Sequence, residues 1–442
     1  MKKFSCAVLL AGILAGCANK DQPIGRTEIT TWKDAKKGAV SLTYDDGNMN
    51  QFRIALPIME RLKLPATFYI ITGSVAGSGY PGRFIGRPVK EIIRESAGIP
   101  TNKQNYFERA SAAKYLGYKG AFAYYDKSAE LFESGRLQQA YKAMDSLYAD
   151  VRNGVLKPGA EYSMEMADEK GLSWDSIRAY AAKGYEFSSH TVTHTHLAVL
   201  DTANIAYELG KSKEDIRDHL GDPYTFDAEI PFGIEHPRAM KYALPYYAAL
   251  RNLMTDPYLK EINRGHKEHP GDFRRHAYVQ WQRGPLSQTS YDLMTSWIDT
   301  TLAHDDIWLV LVFHGVDSLG WEPLPHEELE RYFGFIKSHE DSLWIATFGE
   351  VARYMREKMA AHVQSAMKGD KIEVQLSDTL DKKIYNIPLT LKTYVPGDWQ
   401  RIRITQGEQR IEPSHIAKDE KGSYVLYPAM PGAGSIALTA GQ

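Results

Sequence analysis

Three short stretches of this chain hold residue types that could do chemistry together. Asp45 and Asp46 stand side by side in Thr43-Tyr44-Asp45-Asp46-Gly47, at the end of an apolar run and before a glycine. Barrels and open α/β sheets place their ligands at the carboxyl ends of strands. Side chains at successive strand positions diverge, so the two carboxylates need not share one task. His190 and His194 bracket Thr191-Val192-Thr193 directly after a short strand. Histidines at this spacing share one face of a helix and can converge on a metal, zinc being well suited to imidazole. His314 ends the apolar run Ile307–Phe313, where a histidine can serve as a general acid. Singly, each stretch has an ordinary reading: turn-forming Asp, a chance His pair, a core His. Together they make a hydrolytic set, with one Asp and two His as an open three-ligand metal site. The second Asp can take a proton from water, and the last His can protonate a leaving group.

Elements that would position these residues are visible around them. Val40–Tyr44 and Thr67–Ile71 have strand composition, and Phe52, Leu56, Met59 and Leu62 between them recur at helical spacing. This βαβ rhythm predicts parallel strands with helices outside. Residues of about 76–160 interrupt it with helical periods such as Leu137, Tyr141, Met144 and Leu147, which reads as an insertion of surface helices. Ser173 is placed to cap a helix carrying Trp174, Ile177 and Ala181, Gly184 to end it, and Tyr185–Phe187 to follow as a strand. Alternation runs on to a helix near Phe348–Lys358. After about residue 367 the pattern changes to period two, as in Ile372–Leu376 and Arg401–Ile404. The expected domains are an α/β unit over 31–366 and a small sandwich-like β domain over 367–442, with only Trp399 as its tryptophan.

The 442 residues carry a formal charge of −2 and are 43% apolar. That composition is globular, and the balanced charge argues against a nucleic-acid partner. Lys2 and Lys3, the apolar run Ala7–Leu14, and Leu14-Ala15-Gly16-Cys17 resemble a bacterial lipoprotein signal over residues 1–17, followed by a tether over 18–30. The expectation is export, lipidation at Cys17 and, with Ala18 next, anchoring at the outer membrane. Cys6 would leave with the signal, so no cysteine chemistry is expected. Nothing in the chain speaks to oligomeric state.

Ser41–Gly47, Gly184–Phe187 with Ser189–His194, Val310–His314 and Thr347–Ala352 resemble, in order, the motifs of the polysaccharide deacetylases with the nodulation-protein homology domain. The resemblance spans roughly residues 36–358. It implies a deformed (β/α) barrel of fewer than eight units, a divalent ion (zinc by preference) on Asp46, His190 and His194, Asp45 as base and His314 as acid. The implied substrate is an acetylated carbohydrate, N-acetyl first. An O-acetyl glycan such as xylan, or a glycan-binding protein with impaired catalysis, stands as the alternative. Oxyanion donors are expected near Phe232, and Trp321 could line a sugar cleft. Two departures stand out. Glu229, in Glu229-Ile230-Pro231-Phe232-Gly233, occupies the place of an Arg that braces the base aspartate, leaving Arg251 or Arg264 as substitutes. Trp297 and Asp299 match a bracing pair for the acid histidine by chain position only. His266, His269 and His276 read as a solvated loop.

Overall fold

The computed structural model describes residues 23–159, 161, 171–254, 258, 260–264, 268–270 and 278–441. The expected signal with Cys6 and Cys17, and also His266 and His276, lie outside the described residues. Two compact units are present. Among the described residues, the larger comprises Thr30–Ala361 with Asp378–Thr390, and the smaller Pro23–Ile29, His362–Ser377 and Leu391–Gly441.

Strands are numbered along the chain from β1 (Thr27–Ile29), which belongs to the smaller unit. The larger unit holds β2 (Gly38–Tyr44), β3 (Thr67–Ile70), β4 (Glu186–Ser189), β5 (Asp227–Ala228), β6 (Ala249–Leu250), β7 (Glu261–Ile262), β8 (Val279–Arg283), β9 (Ile307–Phe313) and β10 (Leu343–Ile345). They hydrogen-bond in the order β6-β5-β4-β3-β2-β9-β8-β7, with β10 added to β2. Neighbouring strands are parallel throughout. Helices follow β2, β3, β4, β5, β8, β9 and β10 among the described residues, so this is a deformed barrel with fewer than eight βα units. β2 and β9 are buried at every position. That explains their near-continuous apolar runs, since a parallel strand covered on both faces has no polar side to show.

Local signals act as read. Ser173 caps the helix Trp174–Ala181 in a reciprocal capping box, and Thr347 caps Phe348–Ala360. The insertion forms α2 (Val89–Glu95), α3 (Tyr106–Ala113), α4 (Ala121–Glu133) and α5 (Leu137–Arg152), where α1 is Leu56–Leu62. It is more than a set of surface helices. Tyr106, Ala110, Ala129, Met144 and Leu147 share one buried cluster with Leu197, Val199, Ile205 and Ile230 of the barrel. Small alanine faces allow that close approach. Among the described residues, no helix is long and apolar enough to cross a membrane.

The smaller unit has β11 (His362–Lys368), β12 (Lys371–Ser377), β13 (Leu389–Tyr394), β14 (Ile402–Gln406), β15 (Gln409–Ile411), β16 (Ala417–Asp419), β17 (Gly422–Ala429) and β18 (Ile436–Ala440). Its two sheets run β1-β13-β17-β16 and β11-β12-β18-β14-β15. Two boundaries differ from the sequence reading. Thr27–Ile29, read as tether, pairs with Leu391–Thr393. The β unit begins at His362, because β11 pairs along its whole length with β12.

Candidate active site

The register of the parallel strands brings the functional side chains together. Asp45, His190, Glu229, Arg251 and His314 are each the first residue past β2, β4, β5, β6 and β9. Tyr44 lies opposite Phe313, and the Asp45 amide donates to the Phe313 carbonyl at 3.0 Å, so Asp45 and His314 emerge side by side. The Glu229 amide donates to the Ser189 carbonyl, and the Arg251 amide to the Ala228 carbonyl, both at 3.0 Å. Gln51 Nε2 donates to the carbonyls of Asp45 (2.5 Å) and His314 (2.9 Å), tying the two strand ends.

Asp46, His190 and His194 form a buried group whose ligand atoms lie within 4.8 Å of one another. Asp46 Oδ1 is 3.5 Å from His190 Nε2 and 3.3 Å from His194 Nε2. Ligands at about 2.0–2.1 Å around a tetrahedral zinc sit about 3.3–3.4 Å apart, so the donor set fits such an ion. His190 Nδ1 is bonded to the Glu229 carbonyl at 2.8 Å, which fixes the tautomer and turns Nε2 toward Asp46. Burial opposes the charge of Asp46, but the hydrogen bonds from both imidazoles outweigh it and hold the carboxyl below its usual range. The two histidines do not share a helical face. They lie on a turn, with Thr191 at φ 66° and His194 at φ 50°. Asp46 also has a left-handed backbone, at φ 72°. Side chains pay strain in that region, and such strain gathers at functional sites.

Asp45 is braced from an unexpected strand. Arg251, fully buried at 0% exposure, donates Nη2 to Asp45 Oδ2 at 2.6 Å and Nη1 to Thr43 Oγ1 at 2.6 Å. Its Nε donates to Glu229 Oε2 at 3.1 Å. Glu229, in the place of the expected Arg, therefore holds that Arg from the other side, helped by Asn252 Nδ2 at 3.1 Å. Burial works against the Asp45 charge, but Arg251 and then His314 outweigh it and keep the carboxyl well below the ordinary range. Glu229 moves the other way, because burial and Asp45 together exceed the pull of Arg251. Asp45 Oδ2 is doubly engaged, whereas the buried Oδ1 has no hydrogen-bond partner.

His314 Nε2 lies 3.3 Å from Asp45 Oδ2, and its ring meets Trp321 edge-on at 4.7 Å. Trp297 is packed in the core and Asp299 is exposed on the same helix. Neither braces His314; the two belong to an ordinary helix with one face in the core and one in solvent. Asp45, Asp46, His190, His194 and His314 line one cavity of 610 Å³ together with Phe232, Arg264, Leu286 and Trp321. Phe232 and Trp321 are each 43% exposed. The Phe232 ring stacks on His196 at 3.7 Å, and His196 Nδ1 meets Glu133 of α4 at 3.1 Å. The insertion thus supports the cavity wall through a residue that sequence reasoning missed. His269 is exposed and lines no part of this cavity.

Comparison with known proteins shows what the larger unit is similar to. The model of the polysaccharide deacetylase family matches residues 33–98 and 126–246. The matched span lies within the barrel unit and holds Asp45, Asp46, His190, His194 and Phe232 but stops short of Arg251 and His314. A gellan lyase from Bacillus sp is 25% identical over 285 residues, covering 59% of this chain and 11% of that protein. The chain thus spans about a tenth of the length of that relative. Among solved structures, a protein described as a polysaccharide deacetylase, from Mycobacterium smegmatis, has 13% identity and a TM-score of 0.38, covering 75% of this chain and 94% of that one. The Xyl-CE4 domain of a multidomain xylanase from the hindgut metagenome of Trinervitermes trinervoides has 12% identity and a TM-score of 0.29, covering 71% and 88%. These loose superpositions add nothing to the fold already read from the strand order.

Proposed function

We propose that the barrel unit hydrolyses acetyl groups on a carbohydrate, N-acetyl groups first, with a zinc-type divalent ion held by Asp46, His190 and His194. The observation that carries this reading is Asp45. One of its oxygens is fixed by Arg251 and His314, and the other is an unmatched acceptor beside a three-ligand group. A divalent ion in that group supplies Lewis acidity toward water and a carbonyl oxygen. Asp45 Oδ1 takes a proton from the attacking water as its oxygen bonds to the acetyl carbon. His314 gives its proton to the sugar nitrogen as the C–N bond breaks, leaving acetic acid and a free amine, which share the last proton as acetate and ammonium. The 3.3 Å contact between His314 and Asp45 then lets the proton pass back and resets both groups. An amide needs this acid more than an ester does, because an amine leaves only when protonated.

The test is metal analysis combined with acetate release from N-acetyl and O-acetyl oligosaccharides. Asp46→Ala, His190→Ala and His194→Ala should lose metal and activity together. His314→Ala should keep its metal and lose roughly 10²–10⁴-fold in rate, with the larger loss on the amide. Equal metal loss in all four variants would sink this division of labour. Turnover of esters alone would reassign the leaving group.

A further inference from the structure

The cavity holds a cation that this chemistry does not use. Arg264 lies two residues past β7 and is largely buried. Its guanidinium sits between two glycines. A Cβ built on Gly284 would come 3.2 Å from Nη1, and one on Gly233 would come 3.7 Å from Nη2. The neighbouring charges are matched elsewhere. Asp45 and Glu229 are held by Arg251, and Asp46 faces the two imidazoles. Among the described residues, no carboxylate, carbonyl or hydroxyl pairs with Arg264.

An unpaired, largely buried guanidinium is costly. It carries five N–H donors in a planar fork, and buried donors are ordinarily satisfied. Burial, together with the nearby Arg251, disfavours its charge. An incoming carboxylate would relieve both penalties and match the fork with two parallel hydrogen bonds. The aromatic rings of Phe232 and Trp321 on the same cavity suit the faces of sugar rings.

We propose that Arg264 receives the carboxylate of an acidic sugar next to the acetylated residue, so that the site selects uronate-containing glycans over neutral ones. This substrate class rests on the deacetylase reading above. It differs from a role in the chemistry itself, where Arg264 would steady the oxyanion of any substrate.

The experiment uses the metal-loaded full chain with two probes, a hyaluronan tetrasaccharide and its carboxyl-reduced, neutral counterpart. Acetate release gives kcat/KM, and calorimetry gives affinity independently of turnover. The wild-type protein should favour the acidic probe by about tenfold or more, as expected for a charge-assisted pair. Arg264→Gln should bring that ratio near one, Arg264→Lys should retain part of it, and about 0.5 M salt should weaken it in the wild type. A ratio that Arg264→Gln leaves unchanged, with both probes slowed alike, overturns the proposal, as does equal or undetectable binding of the two probes. Preferential binding of the acidic probe without acetate release would leave this inference standing and remove the deacetylase reading. Acetate release from both at equal rates would do the reverse.

Discussion

The two walls of the cavity are built on different principles. On one wall, Asp45 and His190, with Glu229 and Arg251 bonded to them outside the cavity, each stand one residue past a strand and are almost wholly buried. Several hydrogen bonds from neighbouring strand ends fix each of them. On the other wall, Phe232, Leu286 and Trp321 sit on loops and are 43%, 42% and 43% exposed. Trp321 is held chiefly through its backbone, whose carbonyl accepts from Gly315 at 2.9 Å. The difference teaches where each property resides. Groups that move protons need sub-ångström placement, which a rigid strand register provides. Groups that choose a substrate can sit on loops, which change without disturbing the barrel.

The largest effect should come from breaking the buried wall at Arg251. Replacing it by Gln leaves Asp45 and Glu229 facing each other without a shared cation. Breaking one side of a buried pair costs about 3–5 kcal/mol. Acetate release should fall roughly 10³-fold, as when a base loses its setting. Adding Glu229→Arg to Arg251→Gln restores a guanidinium next to Asp45 from the neighbouring strand, and should recover about tenfold of that loss. Melting temperature measured beside activity separates the two contributions. No recovery in the double variant, despite a restored melting temperature, would show that the brace must come from β6.

This pattern also explains what could be read in the chain. Asp45, Asp46 and His314 are legible because they directly follow a long apolar strand, β2 or β9. His190 and His194 are legible as a pair but not in conformation. Their convergence comes from left-handed Thr191 and His194, which residue types do not announce. Arg251 could not be told from Arg264, since β5, β6 and β7 are two residues each and too short for any periodic signal. The one hint was the apolar stretch Tyr246–Leu250 ending at Arg251. The role of α4 was hidden because Glu133 meets His196 across 63 positions of sequence. Similarly, β1 is three residues whose partner lies near the other end of the chain.

A smaller and differently shaped effect is expected on the open wall. Trp321→Ala removes an exposed ring and should raise KM by about tenfold, the scale of one lost aromatic contact, while kcat changes little. The edge-on contact of Trp321 with His314 sharpens this test. A fall in kcat equal to the rise in KM would mean that Trp321 also orients the acid, and the contrast between the walls would blur.

The smallest effect on activity, and one specific to stability, belongs to Asp227 on β5, which is 1% exposed and touches no part of the cavity. Its carboxyl accepts from Tyr69 Oη at 2.8 Å and Ser188 Oγ at 3.1 Å. Burial, and then the nearby Glu186 carboxylate, push its pKa up to about 8. The unfolded value is about 3.9. Between these two values the unfolded chain has released the proton that the folded chain still holds, so stability falls as pH rises from about 4 to 8. Asn keeps the shape and cannot ionise. Asp227→Asn should therefore melt a few degrees above the wild type at about pH 8, with the advantage shrinking or reversing near pH 5. Acetate release under conditions where both are folded should stay within about twofold, the ordinary range for a change away from reacting groups. Thermal melts of both proteins at the two pH values decide it. An offset that does not vary with pH would mean that Asp227 is ionised inside the barrel.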